Sequence, residues 1–136
     1  MNEFSGVKLA LVNGSKVVGI LRENNPDIMF SNCWDVAGGP RKGTESALQC
    51  AFREAYEECG LDLKPESIVW GQECKDRGCN EPGGLFMVSG ITGQQVDQIK
   101  IGARGQSFKL YELSDFLKMD NVVPFVKKRL WHYLER

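Results

Sequence analysis

The sequence predicts an α/β fold in which a mixed β-sheet lies between helices, and three observations predict it. Residues 13–14 are Asn-Gly, which is typical of a hairpin turn, and they separate two short apolar segments. Residues 85–88, Leu-Phe-Met-Val, form a continuous apolar run of the kind found in buried strands. Apolar residues repeat at helical spacing from Ala47 towards Gly60 and again from Pro124 to Leu134.

The other elements follow from turn residues and apolar periodicity along the chain. Ser46 and Gln49 match a capping box, so the first helix begins at Ala47, and Gly60 ends it. Strands are predicted at 7–12, 16–21, 28–30, 34–36, 67–74, 84–91 and 107–112, a polar loop at 74–84, a short helix around 116–117 and a last helix at 124–134. Side chains predicted to face inward on the two long helices are Leu48, Phe52, Ala55, Tyr56 and Cys59 on the first, and Phe125, Val126, Leu130, Trp131 and Leu134 on the last, with Lys127, Lys128 and Arg129 outside.

Composition excludes several classes of protein. The 136 residues are 42% hydrophobic and 26% charged, which predicts a single domain over residues 1–136. A net charge of −1 gives no general attraction to nucleic acid or to an anionic membrane. No segment approaches the roughly 20 apolar residues of a membrane span, and the start carries no basic leader before an apolar run, so a cytoplasmic protein is predicted. Five irregularly spaced cysteines predict free thiols.

The first helix carries an unusual acidic face. Glu54 is three and four residues before Glu57 and Glu58, so the three carboxylates lie close together on the side opposite the predicted apolar face. Like charges at this spacing destabilise a helix by roughly 0.2–0.5 kcal/mol per pair. A solvated face is one interpretation, and a bound divalent cation is the other, because Mg²⁺ prefers carboxylate oxygens together with substrate phosphates.

The spacing of the residues around these glutamates favours the second interpretation. The pattern G-x5-E-x7-R-E-U-x-E-E-x-G-U, where U is apolar, is matched without exception by Gly39, Glu45, Arg53, Glu54, Ala55, Glu57, Glu58, Gly60 and Leu61. This pattern resembles the Nudix box of the Nudix hydrolases. The resemblance implies an α/β/α sandwich and a metal-dependent hydrolase that cleaves diphosphate linkages.

The resemblance also implies roles for individual residues. The positions of Glu54, Glu57 and Glu58 match the ligands of Mg²⁺ or Mn²⁺, and the carbonyl of Gly38 matches a backbone ligand. Glu54 then acts as the base or positions a water molecule that does. Arg53 and Glu45 match a pair that supports the site from behind.

Two further positions, Arg22 and Asn121, match substrate-binding residues less closely. Arg22 ends the second strand, where MutT-type members place an arginine that faces phosphate. Asn121 has the donor and acceptor needed to read a base edge, and it fits equally well as a residue preceding the last helix. Trp34 is predicted to lie in the core rather than to stack on a base.

Arg104 departs from the family pattern. In MutT-type enzymes a Glu-Gly-Gln triplet brings another glutamate to the metal, and the apparent counterpart here is Arg-Gly-Gln at 104–106. Three explanations remain open. Arg104 binds phosphate; or another acid, Asp97, Glu73 or Glu81, replaces the missing ligand; or the protein turns over slowly or not at all.

The resemblance implies attack of metal-activated water on a phosphorus of a nucleoside di- or triphosphate derivative, with a MutT-type (d)NTP pyrophosphohydrolase as the first hypothesis. One alternative is a catalytically weak nucleotide-binding or regulatory module. The other is an RNA 5′-end pyrophosphohydrolase, which needs a basic groove drawn from Lys127, Lys128, Arg129 and Arg136. The predicted partner is a small nucleotide substrate, with no membrane and no nucleic acid, and a homodimer is compatible with the family.

Overall fold

The computed structural model of the protein describes residues 4–74 and 84–136. The strands are β1 (Gly6–Asn13), β2 (Lys16–Arg22), β3 (Trp34–Asp35), β4 (Ala37–Pro40), β5 (Ile68–Cys74), β6 (Gly84–Gly90) and β7 (Gly105–Glu112). The helices are α1 (Ala47–Cys59), α2 (Gly93–Gln98), α3 (Leu113–Phe116) and α4 (Pro124–Glu135), with one turn of 3₁₀ helix at Pro65–Ser67. In the described ranges, no helix is long and apolar enough to cross a membrane.

Strand β1 is the centre of the sheet and organises the other strands. It runs parallel to β6, and along its other edge it pairs antiparallel first with β4 and then, near Asn13, with β2. Strand β2 also pairs with β3 and with β7, and β5 pairs with β6. Because β4 borders the start of β1 and β2 borders its end, the two strands separate from each other beside β1.

Strand β1 is buried on both faces of the sheet, and its successive side chains point to opposite faces. Val7, Leu9 and Leu11 belong to the apolar cluster that includes α1, whereas Ala10 and Val12 belong to the cluster that includes α3 and α4. The helices therefore cover opposite faces of a mixed sheet. This arrangement confirms the predicted α/β/α sandwich.

Helix α1 begins and ends where the sequence predicts. The Ser46 hydroxyl accepts from the Gln49 N–H, the Gln49 side chain accepts from the Ser46 N–H, and Gly60 adopts a left-handed conformation with φ of 72°. These reciprocal bonds satisfy donors that the first turn of a helix otherwise leaves unpaired.

The predicted packing face of α1 is wrong in part. Leu48 and Tyr56 are 36% and 64% exposed, while Glu54, predicted to lie on the acidic outer face, is only 1% exposed. The buried side of the helix carries Cys50, Ala51, Glu54, Ala55 and Cys59. Small side chains on this side let the helix approach the backbone of β4 closely, and this approach also buries the Glu54 carboxylate.

Two local predictions need correction, and one helix was not predicted. Residues 28–30 form turns instead of a strand, with positive φ at Phe30 and Asn32. The hairpin turn after β1 is centred on residues 14–15, one residue later than predicted, because Asn13 still pairs with Lys16. Helix α2 was not predicted, although Thr92 and Gln95 form a capping box that could have revealed it.

The last helix and the cysteines differ from expectation as well. Arg129 is buried and donates to the Gln72 side chain, whereas Trp131 and Leu134 are about half exposed. Arg129 therefore adds nothing to a basic groove. Cys33, Cys50 and Cys59 are free thiols as predicted, but Cys74 is disulfide-bonded. The predicted loop at 74–84 lies outside the described residues except at its two ends.

Candidate active site

Two glycines of β4 bring the sheet against helix α1. Gly38 has a φ of 134°, and a Cβ at this position would overlap the Val7 carbonyl oxygen. A Cβ on Gly39 would lie 2.5 Å from Oε2 of Glu54. Only residues without a side chain fit this close approach. The glycines therefore place the buried carboxylate of Glu54 directly beside the β4 backbone.

Arg53 joins the loop before α1 to the acidic residues of the helix. Its Nε donates to Oε2 of Glu45 at 2.6 Å, and its Nη2 donates to the Pro40 carbonyl at 2.9 Å. Its Nη1 donates to Oε2 of Glu54 at 3.0 Å and to Oε1 of Glu57 at 3.1 Å. The hydrogen bond from Arg53 lowers the pKa of Glu45 to about 2. The predicted Arg53–Glu45 pair thus exists, and the same guanidinium holds two of the three helix carboxylates.

Replacing Arg53 by lysine is expected to lower the free energy of unfolding by about 2 kcal/mol, because a lysine cannot reproduce a planar guanidinium that donates to oxygens of four residues. Urea unfolding at pH 7 measures the change. Arg136→Lys is the matched control, since Arg136 is an exposed residue at the end of α4. Equal stabilities of the two variants would contradict the supporting role of Arg53.

The buried Glu54 and the partly buried Glu58 form an acidic pair with an unsatisfied oxygen. Oε1 of Glu54 accepts no hydrogen bond from the described part of the chain. Burial, followed by a hydrogen bond with Glu54 that a protonated Glu58 makes, raises the pKa of Glu58 to about 8. The positive charge of Lys8 and the Gly38 N–H, 3.3 Å from Oε1 of Glu58, oppose this rise. Without a cation, the raised pKa favours the protonated form of Glu58 near neutral pH.

This pair predicts a distinctive pH dependence of stability. The pKa of Glu58 is raised from 4.5 to about 8, so between these values the folded protein keeps a proton that the unfolded chain has released. The free energy of unfolding should therefore fall as pH rises from about 5 to about 8. Urea unfolding in EDTA at several pH values measures the slope, and Glu58→Gln should flatten it. A wild-type stability that stays level or rises over this interval would contradict the assignment.

The donor set fits a hard divalent cation. A buried carboxylate with one unsatisfied oxygen, beside a second carboxylate whose pKa is raised, gains from a cation that replaces the proton of the second. Glu54 and Glu58 would hold it together with the Gly38 carbonyl and Glu57. In the described ranges no three acidic, histidine or cysteine side chains already converge as a metal site. Glu57 does not complete such a cluster with Glu54 and Glu58, because it is 39% exposed and its carboxylate is turned towards Arg53 and Lys42. The Lys42 Nζ lies 3.9 Å from Oε2 of Glu57.

A cavity of about 740 Å³ opens beside Glu58. Its charged lining residues include Arg22, Glu57, Glu58 and Arg104, and the β4 residues Gly38 to Pro40 line it as well. Its apolar lining residues include Ile28, Met29, Phe30, Val123 and Phe125. The size is that of a site for a small organic ligand, and the lining suits a ligand that has both anionic and apolar groups.

The sequence did not reveal a second charged cluster on the cavity wall. Lys8 Nζ lies 2.7 Å from Oδ2 of Asp35, and Arg22 Nη1 lies 3.0 Å from the same oxygen. Lys8 and Asp35 are both buried. Their only sequence signals are a lysine inside an apolar strand and an aspartate just before the glycines. The cluster leaves one net positive charge beside the acidic pair.

The structure brings most of the predicted site residues together. Arg22 and Arg104 both line the cavity, and Arg104 Nη2 lies 3.7 Å from Oε1 of Glu54. Asn121 lies in an exposed turn, is not among the lining residues, and its carbonyl accepts from the Trp34 N–H at 2.7 Å. Trp34 packs edge-on against Tyr111, as a core residue does.

The acids considered as replacements for a ligand at position 104 lie away from the cavity or outside the described residues. Glu73 and Asp97 are exposed and are not among the residues that line the cavity. Glu81 is outside the described ranges. Among these candidates, Arg104 is therefore the one that the described structure places beside the Glu54 carboxylate.

Comparison with known proteins finds solved structures with a similar fold. No protein-family model and no curated protein sequence matches the chain. Among solved structures, the MutT protein of Methanosarcina mazei Go1 is similar over all of both chains, with 18% identity and a TM-score of 0.71. A C. elegans Ap4A hydrolase matches over 96% of this chain and 98% of its own, with 14% identity and a TM-score of 0.69.

A third similar structure contains a metal ion. It is a bifunctional NMN adenylyltransferase/ADP ribose pyrophosphatase of Francisella tularensis, complexed with AMP and a manganese ion, with 16% identity and a TM-score of 0.74. The match covers 98% of this chain and 42% of that protein. The chain has the fold of the MutT/Nudix hydrolases, and the complete Nudix box lies on β4 and α1, beside the cavity.

Proposed function

We propose that this chain is a single-domain Nudix hydrolase that uses Mg²⁺ or Mn²⁺ to cleave a phosphoric anhydride in a nucleoside di- or triphosphate derivative. The observation that carries the proposal is the pair of Glu54 and Glu58: Glu58 lines a cavity of about 740 Å³, and the buried Glu54 beside it has an oxygen that accepts no hydrogen bond from the described residues. Two neighbouring carboxylates, one with an oxygen that accepts no hydrogen bond from the described residues, are suitable ligands for a divalent cation.

The residues of the site have different roles in the proposed reaction. A divalent ion bound here supplies charge neutralisation at the phosphate and lowers the pKa of a water molecule. Glu54 and Glu58, with the Gly38 carbonyl and Glu57, would hold the ion. Arg53 fixes Glu54 and Glu57 from behind, so these carboxylates need little reorganisation during the reaction. Glu54, the most deeply buried acid of the helix, would orient or deprotonate the attacking water.

The charged and apolar residues that line the cavity support a nucleotide as substrate. Arg22 and Arg104 can pair with phosphate oxygens, since a guanidinium matches the geometry of phosphate. Phe30 and Phe125, which contact each other edge-on with ring centroids 6.3 Å apart, offer an apolar surface to a nucleobase. The names of similar structures, which refer to MutT, Ap4A and ADP ribose, support the same general class. A MutT-type (d)NTP pyrophosphohydrolase is the first specific hypothesis.

Release of phosphate and pyrophosphate tests the proposal. Nucleoside triphosphates, nucleotide sugars and dinucleoside polyphosphates are incubated with wild type, with Glu57→Gln and with Glu66→Gln, an exposed control. We expect release from at least one class with Mg²⁺ or Mn²⁺, no release in EDTA, and at least about a hundredfold less in Glu57→Gln alone. A nucleotide that raises the melting temperature without any release would contradict the hydrolase and indicate a binding module.

A further inference from the structure

The backbone of Arg104 is fixed beside helix α1. The Gly102 N–H donates to the Glu58 carbonyl at 3.0 Å, and the Gly102 Cα lies so close to Glu57 that a Cβ would overlap the Glu57 carbonyl oxygen. On the other side of Arg104, Gly105 begins β7 and pairs with Arg22. Arg104 therefore projects from a short turn that is held between the acidic helix and the sheet.

The side chain of Arg104 meets the one carboxylate oxygen that nothing else satisfies. Its Nη2 lies 3.7 Å from Oε1 of Glu54, which is too far for a hydrogen bond but within the distance of an ion pair. The other oxygen of Glu54 already accepts from Arg53 at 3.0 Å. Arg104 is 64% exposed, whereas Glu54 is 1% exposed, so the contact joins a movable cation to a fixed anion.

We propose that Arg104 holds Oε1 of Glu54 in the cation-free protein, gives up this oxygen when a divalent cation binds, and then pairs with a phosphate group of the substrate. The inference rests on the proposed function and adds a positioning device to it. Arg104 competes for a cation ligand in one state and binds substrate in the next.

The charge and the position of Arg104 support both steps, the release of Glu54 and the pairing with phosphate. A guanidinium near Oε1 already neutralises part of the charge that a cation would neutralise, so the two cannot both interact fully with that oxygen. Arg104 also lines the cavity, and its neighbours Gly105 and Gly102 pair with Arg22 and bond to Glu58, which line it too. A released Arg104 side chain therefore stays near these charged residues, where a guanidinium can form two parallel hydrogen bonds with phosphate oxygens.

Two calorimetric titrations separate this exchange from a merely structural role. Wild type, Arg104→Gln, Arg104→Lys and the exposed control Arg136→Gln are titrated with Mn²⁺ alone, and then with methylenediphosphonate at saturating Mn²⁺. For Arg104→Gln we expect Mn²⁺ affinity to rise by about three- to fivefold, as for loss of an exposed ion pair. The affinity for the diphosphonate should fall about tenfold, as for loss of hydrogen bonds to a charged group. Arg104→Lys should restore part of both changes, and Arg136→Gln neither.

The outcomes distinguish this inference from the proposed function. Unchanged Mn²⁺ affinity in Arg104→Gln would overturn the competition for Glu54, and unchanged diphosphonate affinity would overturn the phosphate contact. Either result would leave the hydrolase proposal standing. Failure of wild type to bind Mn²⁺ at all would overturn the cation site itself and this inference with it.

Discussion

Replacing Glu58 by glutamine is expected to stabilise the cation-free protein while it removes activity. The pKa of Glu58 is raised to about 8 by burial and by Glu54, so ionising this side chain at higher pH is unfavourable in the fold. A neutral amide of the same shape avoids that penalty. We expect the free energy of unfolding in EDTA at pH 8 to rise by about 2 kcal/mol, allowing for partial exposure to solvent.

The same variant should lower kcat/KM by about a thousandfold, because a neutral amide is a poor ligand for a divalent cation and cannot stabilise charge at the reacting phosphate through it. Urea unfolding and steady-state kinetics on one preparation measure both effects, with Glu66→Gln as the control. A variant that is less stable than wild type, or one that keeps its activity, would contradict the assignment of Glu58 as an ion-binding acid.

Replacing Gly38 by alanine is expected to have the largest effect on stability. The new Cβ would overlap the Val7 carbonyl oxygen and would approach the Lys8 Cα at 2.7 Å, and both are backbone atoms that cannot turn aside. The φ of 134° adds strain of its own. We expect a loss of about 3 kcal/mol in the free energy of unfolding, measured in urea.

Gly43→Ala provides the matched control for this prediction. Gly43 also has a positive φ, of 56°, but a Cβ there would meet nothing within 4 Å. Its replacement should destabilise the protein by about 1 kcal/mol, which is the effect of the backbone conformation alone. If Gly38→Ala were no more destabilising than Gly43→Ala, the close contact between β4 and β1 would be wrong.

The part of the site that lies along α1 is local in sequence, and local spacing predicts it well. The cap at Ser46, the stop at Gly60 and the clustering of three glutamates all depend on helix geometry over a few residues. The contact of Arg53 with Glu45 is likewise predicted by the box, since both lie within or just before the same helix.

The rest of the site depends on packing between distant segments. Whether Glu54 or Glu57 is buried depends on the rotation of α1 against β4, and the sequence pattern placed both on an outer face. The pairing of Lys8 with Asp35 joins side chains of β1 and β3, which are distant in sequence, beside the cavity. No local rule relates these two residues. The turns at 28–30 have positive φ at Phe30, a conformation that aromatic residues rarely adopt. The residue types therefore gave no sign of a turn, and the apolar run predicted a strand instead.

The location of a bound Mn²⁺ ion tests the central claim most directly. A crystal of the protein grown with Mn²⁺ and measured for anomalous scattering should show a peak within about 2.5 Å of carboxylate oxygens of both Glu54 and Glu58, on the cavity side of α1. The guanidinium of Arg104 should have moved away from Glu54 in the same crystal. A peak elsewhere, or Glu54 and Glu58 without one at saturating Mn²⁺, would contradict the cation site on which this account depends.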